Sequence, residues 1–194
     1  MKTLTKIIIQ NIVTAFSFEP PLDLERIRKA FPSECFFETL EDRRYTFRVV
    51  AIRTKEPNFT FLIYRTGKIV CTGSKSIPDA ECSDKYLLSR FQEAGIKTKL
   101  KTSAKIQNIV ATTYSKNPLD LEKFILKLQQ DKNFRIIYEP EQFPASIIKF
   151  LLNKENEATI LLFSSGKLVC VGLKTVEQTQ EAIRRINSKL SKLI

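Results

Sequence analysis

Few side chains here can do covalent chemistry. The 194 residues contain no His. That removes Ser-His-Asp and Cys-His nucleophilic arrangements and the His ligands of metal sites. Four cysteines, Cys35, Cys71, Cys82 and Cys170, are scattered with no CxxC spacing, so neither a zinc site nor a redox pair is readable. Cysteines spread this thinly suit a reducing compartment. Glu139 and Glu141 are two carboxylates inside a basic protein, which an enzyme reading takes as an acid/base pair, but no nucleophile, metal site or Gly-rich phosphate loop accompanies them. The sequence therefore predicts no enzyme, no cofactor and no metal. Its abundant chemistry is cationic: the net charge is +11 and the pI about 9.6. A surplus of this size favours a polyanionic partner, nucleic acid before an anionic membrane surface. No run of about 18 apolar residues exists, and the N-terminus lacks the apolar content of a secretory signal, so the expectation is a soluble intracellular protein without a membrane partner.

The chain repeats itself. Ile9-Gln10-Asn11-Ile12-Val13 recurs as Ile106-Gln107-Asn108-Ile109-Val110, and Pro21-Leu22-Asp23-Leu24-Glu25 as Pro118-Leu119-Asp120-Leu121-Glu122. Both pairs are offset by 97 positions. A third block, 62–75, recurs at 161–174, each copy carrying Gly-Lys-x-Val-Cys-x-Gly-x-Lys. Three blocks in one order at nearly one offset mark a tandem duplication, with repeats expected at 1–97 and 98–194. Two copies are too few for a solenoid, so a pseudo-two-fold pair is the expected arrangement.

Each repeat reads as strands and helices. In the first, β-branched residues predict a strand over 6–18 and Pro20-Pro21 ends it. Leu24, Ile27 and Phe31 recur at helical spacing over 22–31, and Pro32 stops the helix. Strands follow at 45–53, 60–64 and 68–72, then a helix from Pro78-Asp79 to Gly95. The second repeat closes with a helix over 176–193. The strands carry a peculiarity: Leu62 and Tyr64 alternate with Phe61 and Ile63, and Val70 and Thr72 with Ile69 and Cys71. Both faces are apolar, whereas an antiparallel sheet normally keeps one face wet. Two helices per repeat cover one face only. Either the other face awaits a partner, or the sheet is buried on both sides in a sandwich.

At these residues the sequence resembles the TATA-box-binding protein family, from about Lys6 to the C-terminus. The motifs are Gln-Asn-Ile-Val at 10–13 and 107–110, the Gly-Lys strands at 66–75 and 165–174, and Glu139-Pro140-Glu141-Gln142-Phe143-Pro144. The resemblance implies an α+β fold: a pseudo-two-fold saddle of two repeats, a curved antiparallel ten-stranded sheet, and two helices per repeat on the convex face. It implies a general transcription initiation factor that binds AT-rich double-stranded DNA in the minor groove, bends it and nucleates preinitiation complex assembly. The expected protein partners are a transcription factor B-type protein, a transcription factor A-type protein and the RNA polymerase machinery.

Residue by residue, Asn11 and Asn108 match the asparagines that donate to minor-groove acceptors. Those acceptors are near-degenerate between A·T and T·A, so such contacts read AT-richness. Val13, Val70, Val110 and Val169 match the floor-contacting residues, and Leu62, Thr72, Thr112 and Leu161 share their surface. Phe143 and Phe163 match the second repeat's wedge pair, and Phe47 and Tyr64 the first's. A kink of about 80° belongs to the family as such. Arg53, Lys68, Lys75, Lys149, Lys167 and Lys174 fall where phosphate contacts are expected, which position a protein and set its salt dependence. Glu139, Glu141 and Gln142 match the stirrup that docks the B-type partner.

The first repeat departs most from the family pattern. Tyr64 replaces a wedge Phe, Arg48 follows Phe47 where the family has a small residue, and Ala15 replaces a Thr. In the second repeat, Val171 replaces the Thr of Thr-Gly. These changes touch the DNA face, and they keep a second reading open: a related regulator that retains partner binding with altered or lost TATA binding. The high pI and the absence of an acidic tail lean towards a eukaryotic relative, with the nucleus as location; otherwise the location is cytoplasm or nucleoid.

Overall fold

In the computed structural model, residues 6–42, 45–115 and 118–193 are described, the side chains of 37–48 and 193 excepted. The strands are β1 (Ile8–Glu19), β2 (Cys35–Asp42), β3 (Tyr45–Arg53), β4 (Thr60–Ile63), β5 (Lys68–Ser74), β6 (Lys99–Tyr114), β7 (Arg135–Ile137), β8 (Ala145–Leu151), β9 (Glu157–Phe163) and β10 (Lys167–Leu173). The helices are α1 (Leu24–Ala30), α2 (Ile77–Glu81), α3 (Ser83–Glu93), α4 (Leu121–Leu128) and α5 (Val176–Leu193). The strands of the first repeat hydrogen-bond in the order β2-β3-β4-β5-β1, and those of the second in the equivalent order β7-β8-β9-β10-β6.

The chain divides into two compact units, one of Asn11–Gln107 and one of Met1–Gln10 with Asn108–Ile194. The Asn11–Gln107 unit has a core of Phe16, Phe18, Ile27, Phe61, Ile63, Ile69, Leu87 and Phe91. The other unit has a core of Phe124, Leu128, Ile148, Ile160, Leu162, Leu168, Ile183 and Ile186. Each such side chain contributes about 1.5–3 kcal/mol on burial. In both units α-helical residues lie against only one set of alternating strand positions.

The repeated Pro-Leu-Asp-Leu-Glu block is a helix start. Asp23 caps α1 by accepting from the Glu25 and Arg26 N–H groups, and Asp120 caps α4 by accepting from Lys123 N–H. The helices therefore begin at Leu24 and Leu121, two residues later than periodicity alone places the first. Leu22 packs with Ile27 in one core and Leu119 with Phe124 in the other, apolar staples across each cap. The helix expected from Pro78 to Gly95 is broken at Cys82 into α2 and α3. Strands β2 and β7 have no counterpart in the sequence reading. An ion pair recurs at matching places: Glu34 with Arg90 at 3.1 Å, and Asp131 with Lys189 at 2.6 Å. The Lys189 hydrogen bond holds the Asp131 carboxyl down at about 2. Its contribution is present above the ordinary carboxylate range and is lost as pH falls through that value.

Each Gly-Lys motif turns a hairpin. Gly67 N–H donates to the Tyr64 carbonyl and Gly166 N–H to that of Phe163, both at 2.9 Å, with φ of +87° and +83°. A Cβ at Gly67 would sit 2.2 Å from the Phe18 carbonyl oxygen, whereas one at Gly95 (φ +69°) meets nothing within 4 Å. Gly67→Ala is expected to destabilise the fold by at least about 2 kcal/mol and Gly95→Ala by about 1 kcal/mol. Urea unfolding of both variants measures the difference.

Candidate nucleic-acid interface

The two-faced strands resolve into one covered face and one open face. In β4 and β5, Phe61, Ile63, Ile69 and Cys71 are buried, while Leu62, Tyr64, Val70 and Thr72 are half-buried. In β9 and β10, Ile160, Leu162, Leu168 and Cys170 are buried, while Leu161, Phe163, Val169 and Val171 are half-buried. Strand β1 buries Ile12, Thr14 and Phe16 and leaves Asn11, Val13 and Ala15 half-buried; β6 leaves Asn108 and Val110 likewise. No sandwich forms in either unit among the described residues.

Register joins these residues into rows, because directly paired strand residues share a face. In one unit, Ala15 pairs with Val70, Val70 with Leu62, and Leu62 with Ala51, which is itself fully buried. In the other, Thr112 pairs with Val169, Val169 with Leu161, Leu161 with Ile147, and Ile147 with Ile137. Ile137 and Ile147 extend the second row and were not singled out from sequence. Their strands are near-continuous apolar runs, which hide the face each residue takes until register fixes it. Thr112 sits in its row but is only 6% exposed, and its hydroxyl accepts from Gln10 Nε2 at 2.8 Å.

Asn11 and Asn108 each close a bulge. Register slips between Ile12 and Thr14 against β5, and between Cys170 and Leu173 against β6. At each slip a glycine of positive φ, Gly73 at +102° or Gly172 at +91°, donates its N–H to the asparagine Oδ1 at 2.8 Å. The backbone donor fixes which amide atom faces the protein, so Nδ2 is left to the open side. Asn11 Nδ2 donates to Thr72 Oγ1 at 2.9 Å, and that hydroxyl is 3.1 Å from Asn11 Oδ1. Asn108 has Val171 in the matching place, and among the described residues its Nδ2 donates to none.

Phe143 and Phe163 meet edge to face, with ring centroids 6.2 Å apart at 65°. Phe143 is 40% exposed, unusually open for a phenylalanine. It ends a turn in which the Glu139 carbonyl accepts from the Gln142 and Phe143 N–H groups, both at 2.9 Å. Glu139, Glu141 and Gln142 are all exposed on that turn. In the Asn11–Gln107 unit, Tyr64 is half-buried at the end of β4, and its hydroxyl has no partner among the described residues. The Phe47 side chain lies outside the described residues.

The six cations divide in two. Lys68, Lys75 and Lys174 are exposed and Lys149 half-buried, and none joins a salt bridge among the described residues. Arg53 stacks on Phe36 at 4.7 Å, and Lys167 Nζ lies 6.0 Å from the centroid of the Phe163 ring. Cationic ends therefore flank the apolar rows. Burial pushes the Cys71 and Cys170 thiols up to about 12 and Cys35 up to about 11, so none of these is a thiolate at neutral pH. Among the described residues no group of three or more acidic or Cys side chains could hold a metal, and no helix is long and apolar enough to cross a membrane.

The sequence matches the protein family described as transcription factor TFIID, or TATA-binding protein, over residues 6–94 and 103–193. The chain belongs to the TATA-binding protein family. It is 34% identical over 188 residues to the TATA-box-binding protein of Archaeoglobus fulgidus, covering 97% of this chain and 96% of that one. The corresponding protein of Pyrodictium occultum is 35% identical over 185 residues, covering 95% and 86%. The solved Methanococcus jannaschii TBP superposes with a TM-score of 0.75 at 29% identity, covering 97% of this chain and 99% of that one. Members are DNA-binding transcription factors and not enzymes. Archaeal-type homology runs against the eukaryotic leaning drawn from pI. Net surface charge drifts without altering the core or the fold, so it is a poor guide to lineage.

The bulge clamp separates two roles of one asparagine. Asn108→Ala removes the acceptor beneath Gly172 N–H and is expected to cost about 1 kcal/mol of stability. Asn108→Asp keeps the acceptor and is expected to stay within about 0.5 kcal/mol of wild type while losing the outward donor. Denaturant unfolding of the two variants checks this.

Proposed function

We propose that this protein is a promoter-binding initiation factor that docks the open sheet face in the minor groove of AT-rich, TATA-type DNA and bends it. The observation that carries the reading is the pair of open apolar rows, each with an asparagine amide turned outwards and cations at its ends. Val13, Val70, Val110, Val169, Leu62 and Leu161 suit a groove floor without guanine amino groups. Asn11 and Asn108 supply donors for adenine N3 and thymine O2. Phe143 and Phe163 act as the wedge, since a 40% exposed phenylalanine recovers apolar burial by entering a base step. Unstacking a step costs a few kcal/mol, and the bent groove offsets it by covering more of the sheet. Tyr64 and Phe47 fill the corresponding role in the first repeat, with the Tyr64 hydroxyl reaching water or a phosphate. Lys68, Lys75, Lys149, Lys167, Lys174 and Arg53 bind phosphates.

The exposed Glu139-Pro140-Glu141-Gln142 turn is the proposed docking point for a transcription factor B-type protein, with A-type factor and RNA polymerase recruited to the assembled complex. The protein acts where the promoter is: nucleus, cytoplasm or nucleoid according to its host.

Energy transfer between dyes at the two ends of a TATA duplex tests bending. Wild type is expected to raise the transfer at low salt, and Phe143→Ala with Phe163→Ala to abolish most of that rise. With six phosphate contacts the logarithm of affinity falls with log salt at a slope of about −5. Unchanged transfer with wild-type protein at low salt overturns the reading.

A further inference from the structure

We propose that Val171 makes the second repeat the stricter reader of A·T pairs, so that the two repeats are not interchangeable on DNA and the protein orients itself by guanine content. The inference rests on the minor-groove reading above and adds a residue and a polarity to it.

The two bulge clamps share a skeleton but differ in one hydroxyl. In the first repeat, Asn11 Nδ2 donates to Thr72 Oγ1 at 2.9 Å. A threonine hydroxyl carries two acceptor lone pairs, and this bond uses one. The other is left over, on a half-buried residue of the open face. In the second repeat, Val171 occupies the corresponding strand position: Val171 pairs with Thr159 as Thr72 pairs with Thr60. Asn108 is clamped by Gly172 N–H at 2.8 Å, as Asn11 is by Gly73 N–H. Its amide therefore stands the same way, with no hydroxyl beside it. Thr112 does not replace that hydroxyl, being 6% exposed and already bound by Gln10.

Guanine adds one feature to the minor groove, the N2 amino donor. Beside Thr72 that donor finds an acceptor. Both repeats place a valine nearby, Val70 or Val169, but beside Val171 the donor finds only methyl groups, and a donor buried without a partner is costly. The second repeat thus penalises G·C at its central contact more than the first does.

A duplex with an AT-rich site carrying one G·C pair in one half tests this. A dye on the exposed Cys82, in a Cys35→Ser background, reports by energy transfer which duplex end lies nearer. Wild type is expected to place its first repeat on the G·C-bearing half by about fivefold or more over the reverse. Val171→Thr is expected to bring the two orientations to near equality, and Thr72→Val with Val171→Thr to reverse them. Both positions are half-exposed, and circular dichroism confirms that the variants fold. Binding with an orientation that neither variant moves overturns this inference and leaves the proposed function standing. Failure to bind any AT-rich duplex overturns both.

Discussion

Everything in this molecule depends on strands that are apolar on both faces while helices cover only one. The covered face supplies each unit's core, where Phe61, Ile63 and Ile69, or Ile160, Leu162 and Leu168, pack beneath helices. On the proposed function, the open face cannot be made polar without losing its binding surface. The fold thus keeps apolar side chains half-exposed and relies on short rows, flanking lysines and arginines, and bulges to manage them.

The bulges tie the open face to the fold. A glycine of positive φ shifts the register at Gly73 and Gly172, and an asparagine opposite accepts its N–H. The same contact that satisfies the backbone fixes the amide's orientation. On the proposed function, stability and recognition share one residue, and the outward donor is set before any ligand arrives. Preorganisation of this kind lowers the ordering cost of binding.

Much of this was legible in the sequence because the duplication printed it twice. Asn11 with Asn108, and the Gly-Lys strands, stood out as recurring blocks, and strand alternation gave the two-faced sheet. Less legible was anything that depends on register. Ile137 and Ile147 sit in apolar runs whose phase only pairing reveals, and Thr112 looked open until Gln10 was seen bonded to its hydroxyl. Asp23 and Asp120 were present in the repeated block, yet their role as caps emerges only from the N–H groups they accept. The break at Cys82 has no strong sequence signal, since the residues on either side are acceptable helix formers. The same duplication exposes the differences: Thr72 against Val171, Ala15 against Thr112, and Tyr64 against Phe163 all lie on the open face. Buried positions differ as well, Phe16 against Thr113 and Phe59 against Ala158 among them, so the repeats have diverged on both faces.

The proposed function requires that the protein read the minor groove. Replacing each A·T pair of a bound site with inosine·cytosine keeps the minor-groove pattern of A·T while giving the major groove the pattern of G·C. Affinity for the inosine duplex is expected to stay within about threefold of the A·T site, while the matching G·C duplex is bound far more weakly. An inosine duplex bound as poorly as the G·C duplex would contradict it.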